Sequence, residues 1–222
     1  MWLVPLELSG DASDASAALL SEDEAVRARG MAAAPRRRYT ASRVALRRLL
    51  DAYLRVGPGN IQFRYGPRGK PELARDRSGT HPRFNVSHSG DWALVGVGLS
   101  PLGVDIESTR ERPNAESVAR RFFSASENET LSQLPTTLRN EAFLRCWTRK
   151  EAYAKAVGEG VAIGFRDFEV GADPRREPAL IRSDGTHDPE WAIRDLHPGS
   201  GLVGAIAVNR RDCTLRCWKL VP

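Results

Sequence analysis

Cysteine is scarce in this chain. Cys146, Cys213 and Cys217 are too few and too odd in number for a disulfide framework. Cys213 and Cys217 have no histidine cluster beside them, which argues against a zinc site. A reducing cytoplasm is the natural compartment for such thiols. Long hydrophobic runs are missing too, and none approaches the roughly 20 apolar residues of a membrane helix. The opening Met1-Trp2-Leu3-Val4-Pro5-Leu6-Glu7 has no basic leader and no long apolar stretch, so no signal peptide is read. There is no short-period repeat and no low-complexity linker.

What is present is enough to fold. The 222 residues are 41% hydrophobic, which suits one large domain or two small ones sharing an interface. The net charge is +5 and the isoelectric point about 9.4. A positive surface favours nucleic acid, a polyphosphate or an acidic protein as partner, or serves only solubility.

Residues 2–8 read as an edge strand limited by Pro5, and 11–33 as one or two short helices. Pro35 suits the first turn of a helix that runs to about Val56 and stops at Gly57-Pro58-Gly59. Tyr39, Leu46, Leu49, Leu50 and Tyr53 share one face of it. A short strand at 61–65 precedes a Gly/Pro/charged loop at 66–82. Residues 84–88 and 92–99 predict a hairpin, and 103–107 a third strand. Helices are expected at 114–122, 126–134 and 138–157, the last ending before Gly158 and Gly160. Short strands follow at 165–170, 178–182, 190–195, 201–208 and 213–220. Helix-plus-strands thus occurs twice, which predicts two α+β halves, 1–102 and 103–222.

Three groups of residues carry chemistry. In Gly103-Val104-Asp105-Ile106-Glu107 the period of two puts Asp105 and Glu107 on one strand face. Adjacent carboxylates repel, so this is either a solvated face or a hard-cation site. Glu151 falls on the apolar side of its helix, between Phe143, Leu144 and Trp147, with Lys155 one turn on. That is either a self-satisfying ion pair or a third metal ligand beside a phosphate clamp. Arg36, Arg43 and Arg47 form a stripe bordering the apolar face of the earlier helix. With Lys70, Ser87 and His88 they make a suitable set for phosphate oxygens.

Together these segments resemble the Sfp-type 4′-phosphopantetheinyl transferases. The matching stretches are F-N-V-S-H-S-G at 84–90, G-V-D-I-E at 103–107, R-R-F-F-S-A-S-E at 120–127 and W-T-R-K-E-A-Y-A-K at 147–155. The G-K-P at 69–71 and the basic helix at 36–48 fit as well. The K-E-A form is similar to the W/KEA branch rather than the branch with Ser in place of that Ala. The resemblance implies an α+β pseudo-dimer with its active site between the halves. It implies transfer of the phosphopantetheine of coenzyme A to a serine of an acyl or peptidyl carrier protein, releasing 3′,5′-ADP. By it, Asp105, Glu107 and Glu151 would hold Mg2+, and Lys155 would contact the attacked phosphate. Ser87, His88 and Lys70 would contact the 3′-phosphate and pyrophosphate region. Arg43 would grip the 3′-phosphate with Arg36 as helper, and Glu151 or Glu127 would be the general base. An acidic carrier, a monomer, and no nucleic acid or membrane partner complete the expectation. Two rivals are a basic nucleic-acid-binding module, which leaves the three carboxylates unexplained, and a non-catalytic family member.

Overall fold

The computed structural model describes residues 1–6, 18–74, 82–110, 114–158, 163–182, 188–199 and 201–220. Parts of the readings for 2–8, 11–33 and 66–82, and Gly160, lie outside them. β1 (Trp2–Pro5) opens the chain, followed by α1 (Glu22–Arg29) and α2 (Ala33–Leu54). A hairpin of β2 (Phe63–Tyr65) and β3 (Pro71–Leu73) leads to a second hairpin, β4 (Arg83–Ser89) and β5 (Trp92–Gly98). The second half begins with β6 (Leu102–Ser108), α3 (Ala115–Phe122), α4 (Ala125–Gln133) and α5 (Thr136–Val157). It continues through β7 (Phe168–Glu169), β8 (Ile181–Arg182), β9 (Ala192–Leu196) and β10 (Leu202–Val208).

The halves repeat one plan. In the first, β5 lies between β1 and β4, antiparallel to both. In the second, β10 lies between β6 and β9, again antiparallel to both. α2 and α5 are both 22 residues long and both end on a left-handed residue, Arg55 and Gly158. Leu6 N–H donates to the Asp91 carbonyl as Thr109 N–H donates to that of Gly201. One departure breaks the symmetry. β11 (Trp218–Lys219) crosses back and lies parallel to β1, so the end of the chain joins the first sheet.

Alternation along the strands builds the layers. Ala93 and Val95 of β5 pack on Leu46, Leu49 and Leu50 of α2, while Leu94 turns the other way. Val203, Ala205 and Ala207 of β10 pack beneath α5, while Ile206 and Val208 meet Leu3, Leu94, Val104 and Ile106 between the two sheets. Each sheet is therefore covered by its own helix on one face and by its sister sheet on the other. Among the described residues no helix is long and apolar enough to cross a membrane.

Buried ion pairs fix the helices. Glu24 is fully buried between Arg43 and Arg47. Asp195 accepts from Arg145 and Arg149 of α5 at 2.6–2.8 Å. Burial raises both carboxylates' proton affinity, but the guanidinium charges win and hold each below its ordinary value. An acid depressed in the folded state stabilises it above the unfolded pKa, and that contribution is lost as pH falls through the folded value. The thermal midpoint is expected to drop steeply as pH falls below about 4. A midpoint unchanged between about pH 5 and pH 3 would contradict this role for the two acids.

Candidate active site

The open edges of the two sheets meet where β4 runs beside β6. No backbone ladder joins them; side chains of β4 bridge instead. Asn85 Oδ1 accepts from Val104 N–H at 2.9 Å, and Ser89 Oγ accepts from Ser108 N–H at 2.9 Å. Ser87, between them in the alternation, donates to Asp105 Oδ1 at 2.7 Å. The seam itself thus carries one of the acids.

β6 alternates as its sequence requires. Val104 and Ile106 are buried between the sheets, and Gly103, Asp105 and Glu107 face the other way. A Cβ at Gly103 would overlap the Ala152 carbonyl and the Ala156 nitrogen, so the missing side chain lets the last turns of α5 settle on β6. That approach brings Lys155 Nζ to 2.6 Å from Asp105 Oδ1 and 3.0 Å from Ser87 Oγ. Glu151 lies one turn earlier, half-buried, on the same helix. Burial raises its proton affinity, the negative charges of Asp105 and Glu107 add to that, and Lys155 opposes it. The three carboxylates therefore share one electrostatic neighbourhood.

Whether this neighbourhood suits a cation is tested by Asp105. Its Oδ2 is buried and has no hydrogen-bond partner. A buried carboxylate oxygen left so is costly, and a hard cation satisfies it. Among the described residues no three Asp, Glu, His or Cys side chains are already drawn together as a metal cage. Lys155 supplies the positive charge at Asp105 instead.

His88, next on β4, shares a 2.6 Å hydrogen bond between its Nε2 and Ser42 Oγ of α2. Desolvation, then the charges of Lys155 and Arg43, hold its imidazole below its ordinary pKa. Arg43 is nearly buried; it donates to Glu24 and, at 3.3 Å, to Tyr65 Oη, with its guanidinium over the Phe63 ring. Arg36 stands exposed in the first turns of α2. Arg47, the third member of the stripe, is fully buried, bonding Glu24 and the carbonyls of Pro58 and Ile61. It belongs to the core.

Two further candidates bond groups of the protein itself. Lys70 reaches from the first half to the end of α5, donating to the Lys155 and Ala156 carbonyls. A cation there complements the negative end of the helix dipole. Burial lowers its pKa. Glu127, a candidate base by resemblance, is 2% exposed and caps α4. It accepts from Ser124 N–H, Val170 N–H and Lys150 Nζ at 3.1, 2.9 and 2.8 Å. With both oxygens engaged inside the second half, it is a folding residue, and Glu151 remains the candidate base. Sequence reasoning missed Ser42, Tyr65 and Glu24. Only Glu24 left a signal, the S-x-x-E capping spacing at Ser21–Glu24.

Residues 101–207 match the family model described as the 4′-phosphopantetheinyl transferase superfamily, and 9–98 match that of the 4′-phosphopantetheinyl transferase N-terminal region. The 4′-phosphopantetheinyl transferase HetI of Nostoc sp. is 39% identical over 210 residues, 94% of this chain and 86% of its own. The 4′-phosphopantetheinyl transferase of Bacillus subtilis is 30% identical over 154 residues, 64% of this chain and 66% of its own. A holo-(acyl-carrier-protein) synthase of Bacillus anthracis, solved with CoA, aligns with 49% of this chain and 94% of its own at 26% identity and a TM-score of 0.39. With matches to both halves and a relative alike along nearly its whole length, the chain belongs to the 4′-phosphopantetheinyl transferase superfamily and is an enzyme of phosphopantetheine transfer.

Proposed function

We propose that the cleft between β4, β6 and the end of α5 binds coenzyme A with a magnesium ion and passes its 4′-phosphopantetheine to a serine of an acyl or peptidyl carrier protein. The observation that carries this is the unpartnered, buried Asp105 Oδ2 beside Glu107, Glu151 and Lys155. Asp105, Glu107 and Glu151 hold the ion, an all-oxygen donor set suited to a hard cation. When bound, the ion neutralises charge on the pyrophosphate.

The chain's own residues do the rest. Lys155 Nζ donates to the oxygens of the phosphate under attack and offsets charge that grows there. Ser87 and His88 meet the pyrophosphate and 3′-phosphate region, where Ser87 Oγ already stands 3.0 Å from Lys155 Nζ. Arg43 grips the 3′-phosphate, with Arg36 at the exposed rim. Lys70 holds the end of the helix that carries Lys155. Glu151, whose proton affinity is raised by burial and by its acidic neighbours, takes the proton of the carrier serine. The serine oxygen bonds the pantetheine-side phosphorus, the phosphoanhydride bond breaks, and 3′,5′-ADP leaves.

The W-T-R-K-E-A run at 147–152 favours the W/KEA branch. The net charge of +5 favours an acidic carrier and fast encounter at low salt. Two fused halves favour a monomer, and the scarce thiols a cytoplasmic setting. Mass spectrometry of apo carrier proteins incubated with the protein, coenzyme A and Mg2+ is expected to show the gain of one phosphopantetheine. Mg2+ with coenzyme A is expected to raise the thermal midpoint of the wild type and not that of Asp105→Asn. No mass gain on any acyl or peptidyl carrier, together with tight DNA binding, would favour the nucleic-acid reading.

A further inference from the structure

The internal repeat lets one half serve as a control for the other. Ser124-x-x-Glu127 opens α4 as Ser21-x-x-Glu24 opens α1, each with a reciprocal capping box. In each, a fully buried cation from the long helix meets the glutamate and two loop carbonyls. Lys150 Nζ bonds Glu127, Phe165 O and Phe168 O; Arg47 bonds Glu24, Pro58 O and Ile61 O. One displacement in the numbering relates Ser21, Glu24, Arg47 and Arg55 to Ser124, Glu127, Lys150 and Gly158.

One oxygen differs. Glu127 Oε1 accepts from the backbone N–H of Val170 at 2.9 Å, an internal folding bond. Glu24 Oε1 accepts from the side chain of Arg43, through Nε at 2.5 Å and through Nη2. The position of Arg43 in the second half is Cys146, an uncharged thiol that also bonds Glu127. The second half thus makes the matching contact without a cation, and the charge on this contact belongs to the first half alone. Arg43 is also steadied by Tyr65 Oη and the Phe63 ring, and it follows Ser42, whose Oγ shares a hydrogen bond with His88. Its bonds to Glu24 and Tyr65 run through Nε and Nη2.

We propose that Glu24 is a positioning residue for anion recognition: it fixes the Arg43 guanidinium over the Phe63 ring, so that coenzyme A is preferred over its 3′-dephospho form. This rests on the reading that Arg43 meets the 3′-phosphate. A planar guanidinium held through two nitrogens is aimed; one held through none samples many rotamers. Glu24 acts on binding through Arg43 and touches no reacting atom.

The test compares kcat/KM for coenzyme A and dephospho-coenzyme A. Glu24→Gln is expected to raise KM for coenzyme A and to shrink the preference for it by roughly 10- to 100-fold, with kcat little changed. Glu127→Gln, the same change at the matching buried site, is expected to lower the thermal midpoint and leave the preference intact. Arg43→Lys keeps the charge but not the fork, and is expected to shrink the preference as Glu24→Gln does; it also serves if Glu24→Gln fails to fold. A wild-type preference in Glu24→Gln or Arg43→Lys, with Arg43→Met losing it, overturns the role of Glu24 alone. An equal loss in the control Glu127→Gln would overturn it as well, since the effect would then be one of general packing. A preference untouched even in Arg43→Met overturns the reading of Arg43 on which the proposal rests.

Discussion

Glu151→Gln is expected to reduce phosphopantetheine transfer by at least roughly 10³-fold while leaving the fold as stable as before or more so. Loss of one preorganised electrostatic partner costs about 10²–10³ in rate, and Glu151 has two roles to lose, as cation ligand and as base. The stability half of the prediction follows from sign. Burial, Asp105 and Glu107 all raise the proton affinity of Glu151, and only Lys155 opposes them. A carboxyl raised in the folded state is a carboxylate that folding disfavours, so it weakens the fold as pH rises through its folded value. An uncharged isostere removes that repulsion at neutral pH. The variant is assayed by carrier mass gain and by its thermal midpoint without added metal. Full activity would remove Glu151 from the mechanism, and a large fall in midpoint would make it a packing residue.

The acids were readable in the sequence because their geometry is local. A strand period of two put Asp105 and Glu107 on one face, and Val104 and Ile106 are buried on the other. The long helices were legible for the same reason: 138–157 became Thr136–Val157, and the Pro35 helix became Ala33–Leu54. β3 was lost inside the 66–82 loop, because three residues opening on a proline carry no alternation to detect. The strand expected at 213–220 shrank to Trp218–Lys219, and its return to β1 had no local cue.

Side-chain destinations set by the other half were not legible. Nothing near Lys70 announces that it ends on the Lys155 carbonyl, 85 positions away. Glu127 sits in a stretch that resembles its family closely, yet its oxygens are drawn inward by Lys150 and Val170. Arg43 and Arg47 share a helix stripe, and one turn separates Arg43, 9% exposed, from Arg47, which is fully sealed. A helical wheel gives the stripe; the depth of each guanidinium depends on Glu24, which comes from another helix.

Lys150→Met is expected to destabilise the protein by about 3–5 kcal/mol, the usual result of stripping the partner from a buried charge. Lys150 is fully buried, and its three protons meet three acceptors: Phe165 O at 2.7 Å, Phe168 O at 2.6 Å and Glu127 Oε2 at 2.8 Å. Methionine fills much of the volume but leaves two carbonyls and a carboxylate oxygen without their cation. Against a total of about 5–15 kcal/mol, that loss removes a large part of the margin and lowers the midpoint by roughly 10 °C or more. If the unpaired charge is the cause, neutralising it should recover stability. Lys150→Met combined with Glu127→Gln is therefore expected to be more stable than Lys150→Met alone. Arg47, which holds the matching place with one buried nitrogen left unpartnered, points the same way. Lysine satisfies this pocket completely and arginine does not, so Lys150→Arg should fall between wild type and Lys150→Met in urea unfolding. A Lys150→Met protein as stable as the wild type would mean that the charge is solvated in solution and that the pocket is held by its aromatic walls.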